Sequence, residues 1–191
     1  LLGFIWIIVT DHELIAPLFL PSPKALLESA WSLWAHHHFA QDVITSINRV
    51  GIAFLASLLL AVPVALAMSS FTLVERIFSP IIDFIRYLPV PALVPLMILF
   101  FGIGETAKID LLYVGTFFQL VVLLQNDLRE VPHEFLDLAR TLHLPQHRVV
   151  QMKLQAILPQ LYDNCRITIG WCWSYVIIAE LVASPSGIGH M

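Results

Sequence analysis

Charge is what this 191-residue sequence has least of: 13% of its residues are Asp, Glu, Lys or Arg against 58% hydrophobic, where a soluble domain carries about a quarter charged. A globule in water with so little charge would expose large apolar patches, so the scarcity argues for lipid as the solvent. The mean hydropathy of +0.81 points the same way. The ten basic residues are scattered and the net charge is −4, which removes the electrostatic footprint of a nucleic-acid binder. Two cysteines, Cys165 and Cys172, are too few for a disulfide scaffold or a metal cage and read as small buried hydrophobes. No Gly-rich loop ending in Lys-Ser or Lys-Thr is present, so this chain should not hydrolyse ATP. Paired carboxylates and metal-ligand spacings are missing at membrane depth, which leaves an intramembrane enzyme without machinery. The triplet His36-His37-His38 does not supply it, because consecutive helical residues point about 100 degrees apart and cannot converge on one ion.

What is present is a series of long uncharged runs. Val50 to Met68 meets the length needed to cross a bilayer, about 20 residues. Tyr87 to Gly104 is also uncharged, but Pro89, Pro91 and Pro95 must break or kink its first turns. Such breaks survive only where protein covers them. Leu111 to Asn126 and Ala156 to Ala183 complete the set. The opening run, Leu1 to Thr10, is too short to span and reads as the tail of a first helix; the basic start and small-residue cleavage site of a signal peptide are not visible. The expectation is an all-α, polytopic membrane helix bundle with four complete spans plus a partial first span, forming a single domain over residues 1–191.

Basic residues set the orientation. With the first helix running outward, segments 11–49, 105–110 and 184–191 hold only Lys24, Arg49 and Lys108. The other side holds Arg76, Arg86, Arg129, Arg140, Arg148 and Lys153, with Arg166 nearby. Loop 127–155 is therefore expected to be cytoplasmic. Within it, Phe135, Leu138, Ala139 and Leu142 recur at helical spacing between Pro132 and Pro145, predicting a short amphipathic helix from about Glu134 to Leu142. Its apolar stripe needs a cover, either a partner protein or the bottom of its own bundle. On the outer side, Lys24 to Trp34 reads as a short helix whose Trp31 and Trp34 suit a lipid interface.

The loop residues resemble the coupling loop of binding-protein-dependent ABC importer permeases, whose signature is Glu-Ala-Ala, three residues, Gly, and an Ile-x-Leu-Pro close. Asp137-Leu138-Ala139-Arg140-Thr141-Leu142 fits the opening and Lys153-Leu154-Gln155-Ala156-Ile157-Leu158-Pro159 the close. His143 occupies the glycine position, and Gln155 stands where the first closing proline is usual. Leu20-Pro21-Ser22-Pro23, Ser46-Ile47-Asn48-Arg49, Arg86-Tyr87-Leu88-Pro89-Val90-Pro91, Phe101-Gly102-Ile103-Gly104-Glu105, Ala179-Glu180-Leu181 and Ser186-Gly187-Ile188-Gly189 look, in that order, like the nitrate, sulfonate and taurine branch.

The resemblance implies a membrane-spanning permease subunit of the bacterial inner membrane, importing a small solute such as nitrate, sulfonate, taurine or bicarbonate. It implies a second permease copy, two cytoplasmic ATPase subunits carrying the ATP and magnesium, and a periplasmic or lipid-anchored solute-binding protein. Glu134, Asp137, Leu138, Ala139, Arg140, Thr141, Leu142 and His143 would form the ATPase contact. The competing reading is a non-transporting membrane scaffold or receptor subunit that has lost its ATPase partner. Gln119, Trp171, Tyr175 and Glu180 are candidates for the solute pathway, although packing and interhelical hydrogen bonds account for the first three as well. A charge within an apolar span costs at least about 2.5 kcal/mol, so Glu180 needs compensation, from a pathway or from nearby backbone. Asp163 and Arg166 are three apart on a helix and could pair, which favours a structural over a transporting role.

Overall fold

A computed structural model of the chain describes residues 2–11, 20–36, 39–183 and 187–190, and every regular element among them is helical. They divide into two compact units, residues 1–44 and 45–191.

The first unit contains α1 (Leu2–Asp11) and α2 (Pro23–His36). Ser22 caps α2 by accepting the Ala25 N–H at 3.2 Å, and the Trp6 indole donates to the Pro21 carbonyl at 3.1 Å. α2 includes the helix expected over Lys24 to Trp34, with Trp31 exposed on it. The side chains of Trp34 and of His36-His37-His38 lie outside the described residues.

The second unit is built on α3 (Phe39–Ser70) from Thr45 onward, α6 (Glu105–Arg129) and α9 (Leu158–Ala183), among the described residues the three helices long and apolar enough to cross a membrane. α3 presents Ala53, Ser57, Ala61 and Ala65, all fully buried, at every fourth position. That stripe of small side chains lets another backbone come close, the usual way helices associate in lipid, where no hydrophobic gain separates a helix from its solvent. The Ser57 hydroxyl reaches the Tyr113 carbonyl of α6 at 3.3 Å. Leu111, Leu112, Leu120, Val121 and Leu124 of α6 fill the core from one side, and Cys172, Val176 and Ala179 of α9 from the other. Hydrogen bonds fix the directions. Arg49 near the start of α3 meets Glu105 at the start of α6, so the two run parallel, while Glu180 near the end of α9 meets Arg49, so α9 runs against them.

Between α3 and α6 the chain departs from expectation. The run from Tyr87 to Gly104 is not one span. α4 (Thr72–Arg86) stops at Tyr87, Pro89 is extended, Val90–Leu93 makes a 3₁₀ turn, and α5 (Val94–Phe101) leaves at 93° to α4. Among the described residues three helices are thus long and apolar enough to span, or four spans result if the bent pair traverses as one. The proline-rich segment cannot continue a helix because Pro89 and Pro91 lack the donors it needs, and α5 ends at Gly102, whose φ of 75° favours glycine.

After α6 come α7 (His133–Thr141) and α8 (Gln146–Ala156), and after α9 a 3₁₀ turn, Ile188–His190. The Asp163–Arg166 pair that the spacing allows does not form. Both residues are exposed on the first turns of α9, where pairing gains little.

Candidate functional site

Three constellations in the second unit concern function. The first is the short helix α7. Pro132 sits at its N-cap in an extended conformation, as the sequence predicts, and Glu134 occupies the first turn, where a carboxylate favours the positive end of the helix dipole. The C-terminus closes in a Schellman turn: the Leu144 N–H bonds to the Ala139 carbonyl at 3.0 Å and the His143 N–H to the Arg140 carbonyl at 3.0 Å. Such a turn requires one left-handed residue, and His143 supplies it at φ 49°. This is the glycine position of the coupling-loop signature, so the histidine preserves the turn that glycine would make. Its ring nitrogen Nδ1 lies 3.1 Å from the Thr141 carbonyl, and the Thr141 hydroxyl donates to the Asp137 carbonyl at 2.9 Å.

The stripe on α7 is divided. Leu138 and Leu142 are 53% and 59% exposed and Phe135 is similarly open, whereas Ala139 is only 2% exposed. The expectation that Ala139 stands on the outward contact face is therefore corrected. It faces the chain itself, on the wall of a hollow it shares with Leu144, Val149 and Lys153. Arg140 and Asp137 pair on the surface at 3.1 Å. On α8, Lys153 donates to the Ser69 carbonyl at 3.0 Å, engaging the last turn of α3, where carbonyls lack helical partners. Burial lowers the pKa of its ammonium below the ordinary lysine value.

The second constellation is a pocket of about 370 Å³ at the α4 break. Its walls include Arg86, Tyr87, Pro89, Gly115, Gln119 and Tyr175. Gly115 and Gln119 occupy the middle of α6, so the break lies at mid-depth of a spanning helix, the arrangement by which discontinuous helices form transport sites. Gly115 is required there: a Cβ would sit 2.9 Å from Val90 Cγ2 and 3.0 Å from the Tyr175 ring. Arg86, counted from sequence as a loop residue, instead lines this pocket. Its guanidinium bonds to Asp83 at 3.0 Å and to the Tyr87 hydroxyl at 3.0 Å, and lies over the Tyr87 ring, 4.5 Å from the centroid. Of the pathway candidates, Gln119 and Tyr175 are brought together here, whereas Trp171 is outside the pocket on the exposed face of α9.

The fourth candidate, Glu180, belongs to the third constellation. Its side chain is wholly buried and accepts from Arg49 at 2.6 Å, from Ser46 at 2.6 Å and from the Gly189 N–H at 2.8 Å. Arg49 also forks onto Glu105, both contacts at 2.6 Å, and Lys108 reaches the same carboxylate at 2.8 Å. Two cations thus balance two carboxylates. Glu180 therefore closes an ion cluster. Sequence reasoning missed Arg49 and Ser46; the signal available was that an acid inside an apolar helix needs a cation, and Arg49 opens the most apolar span.

The chain can now be set beside known proteins. The profile of the family described as "Binding-protein-dependent transport system inner membrane component" matches residues 53–191. The taurine transport system permease protein TauC of Escherichia coli (strain K12) is 33% identical over 98% of this chain and 70% of its own length. A putative aliphatic sulfonates transport permease protein, SsuC of Bacillus subtilis (strain 168), is 28% identical over 98% of this chain and 68% of its own length. A structure of the MetNI methionine ABC transporter in an inward-facing conformation covers 80% of this chain and 77% of its own with a TM-score of 0.71 at 20% identity, a likeness of fold. The chain belongs to the binding-protein-dependent transport system inner membrane components and is a permease subunit of an ABC importer, a transport subunit and not an enzyme.

Proposed function

We propose that this permease imports a small anion of the sulfonate type, with a second copy enclosing the pathway. Two ATPase subunits would dock on α7, and a periplasmic or lipid-anchored binding protein would deliver the solute from the far side. The observation that carries the docking assignment is the outward pair Leu138 and Leu142 on α7, held off the bundle by the turn at His143 while Ala139 anchors the helix inward. Two exposed leucines on a helix of nine residues are an apolar patch waiting for a groove. Glu134, Asp137, Arg140 and Thr141 rim that patch and would set its register. Intact turn geometry at His143 also counts against the scaffold reading, since a lost ATPase partner would leave no reason to keep it.

Orientation follows from the basic residues. With Arg86 removed from the loop count, Arg76, Arg129, Arg140, Arg148, Lys153 and Arg166 still outnumber Lys24, Arg49 and Lys108, which supports a cytoplasmic α7 in the bacterial inner membrane. The solute would pass the pocket at the α4 break, where Arg86 offers the positive charge and Gln119 and Tyr175 offer neutral hydrogen-bonding groups. Taurine and aliphatic sulfonates are named for two relatives, and both carry an anionic sulfonate.

The test is purification of the intact permease in mild detergent, identification of copurifying chains, and reconstitution with its binding protein. An ATPase at equal stoichiometry, stimulated by a sulfonate and not by an uncharged analogue, is the expected result. Leu138→Glu should abolish copurification while the permease still inserts. If the ATPase remains bound to that variant, the docking face is wrong; stimulation by the uncharged analogue alone would overturn the anion.

A further inference from the structure

One hollow in the second unit plays no part in the function proposed above. It measures about 470 Å³ and lies between the last two turns of α3 and the face of α8. Pro63, Leu66 and Phe71 make its walls apolar, Ser69 and Gln146 add neutral polar groups, and Lys153 is its single charged residue. Two further hollows share α8. One adds Arg140 to Lys153 and the other holds Arg148, and no carboxylate lines any of the three. α8 itself carries Arg148 and Lys153 and no acid. Among the described residues Arg148 bonds only to neutral Gln151, and Lys153 only to the carbonyl and, at 3.5 Å, the hydroxyl of Ser69. An ammonium has three donors, so these contacts leave at least one for a ligand. An apolar cleft at the end of a spanning helix, closed by a half-buried cation with no carboxylate on its walls, has the two-part chemistry of an anionic amphiphile. A basic pocket at such a depth is where lipid headgroups are held.

We propose that the cleft between α3 and α8 binds an anionic phospholipid, with its phosphate on Lys153 and its glycerol and first acyl carbons against Pro63, Leu66 and Phe71. The site touches both α3, embedded in the membrane, and Ala139 of α7 through the adjoining hollow. Lipid charge would thereby bear on the position of α7.

Lipid counting by native mass spectrometry on the intact, delipidated permease tests this without any ATPase, so its result is independent of the docking assignment. Phosphatidylglycerol and phosphatidylcholine of equal chain length are titrated separately, and inorganic phosphate is added in a third arm. The wild type should retain one phosphatidylglycerol in preference to phosphatidylcholine. Lys153→Gln should weaken retention about fivefold, the worth of one surface cation, and Lys153→Arg should restore it. Ala67→Phe, which fills the cleft and leaves the cation, should also weaken it, while Lys24→Gln should not. Equal retention of both lipids, or no change in Lys153→Gln and Ala67→Phe, overturns the site. Displacement of the lipid by millimolar inorganic phosphate would mean a free-phosphate site and overturn the lipid as occupant. If Lys153→Gln does not fold because α3 loses its contact at Ser69, Ala67→Phe carries the test.

Discussion

The two ends of the bundle solve opposite problems. At one end, Arg49, Glu105, Lys108 and Glu180 form a network of two cations and two carboxylates, to which the Ser46 hydroxyl and the Gly189 backbone add contacts on Glu180. At the other end, Leu138 and Leu142 are exposed, Lys153 has no carboxylate, and α7 and α8 surround hollows that the chain does not fill. A closed network gains rigidity because breaking any member strands a buried charge. An open surface gains partners because its own chain leaves it unfinished. The comparison says which end should respond to mutation as a fold does and which as an interface does.

The largest effect is expected at the closed end. Arg49→Leu strands the Glu180 carboxylate with one hydroxyl and one backbone N–H, and leaving such a charge unpaired costs about 3–5 kcal/mol. Unfolding of the detergent-solubilised permease should show a loss of that size. Arg49→Leu combined with Glu180→Leu should be less harmful than the sum of the single changes, because neither charge is then stranded. Strict additivity in that double-mutant cycle would mean the two residues do not act as a pair.

A smaller loss is expected from Gly187→Ala. The φ of 114° at this glycine is left-handed, and an added Cβ would stand 2.5 Å from Glu180 Oε1 and 2.6 Å from Arg49 Nη1. Strain and contact together should cost about 2–3 kcal/mol. Leu138→Ala, at the open end, should leave unfolding within about 0.5 kcal/mol of wild type, as surface substitutions do. A loss at Leu138 as large as that at Gly187 would erase the distinction between the two ends.

Much of this was legible in the residues and some was not, for identifiable reasons. The uncharged runs found α3, α6 and α9 because lipid tolerates few charges, and the prolines found α7 because each stands where a helix cannot continue. The partner of Glu180 stayed hidden because Arg49 lies 131 positions away, and no local spacing reports a contact of that range. The break at Pro89 was legible as irregularity, but the 93° bend was not, since α4 carries Glu75, Arg76, Asp83 and Arg86 and does not read as half of a span. Periodicity placed Ala139 on the stripe with Leu138 and Leu142, yet a stripe wide enough to touch two surfaces has two sides, and only packing decides which side is covered. The Asp163–Arg166 spacing was favourable, but exposed ions gain little from pairing.

The smallest effect lies at His143 and has a sign that can be argued. A left-handed backbone costs a non-glycine residue about 1–2 kcal/mol. His143→Gly removes that cost, but it also loses the exposed Nδ1 contact to Thr141 and makes the unfolded chain freer by about 0.5–1 kcal/mol. The balance favours glycine by about 0.5 kcal/mol. Hydrogen exchange at the Leu144 amide, which closes the turn onto Ala139, should therefore slow about twofold in His143→Gly. His143→Val should accelerate it several-fold, because a β-branched residue tolerates this region worst. Since both changes act on the local turn while Leu138 and Leu142 stay in place, ATPase copurification should follow the exchange rate. If exchange shifts as stated and copurification does not, α7 docks without needing its C-terminal turn, and the glycine position of the signature serves the helix alone.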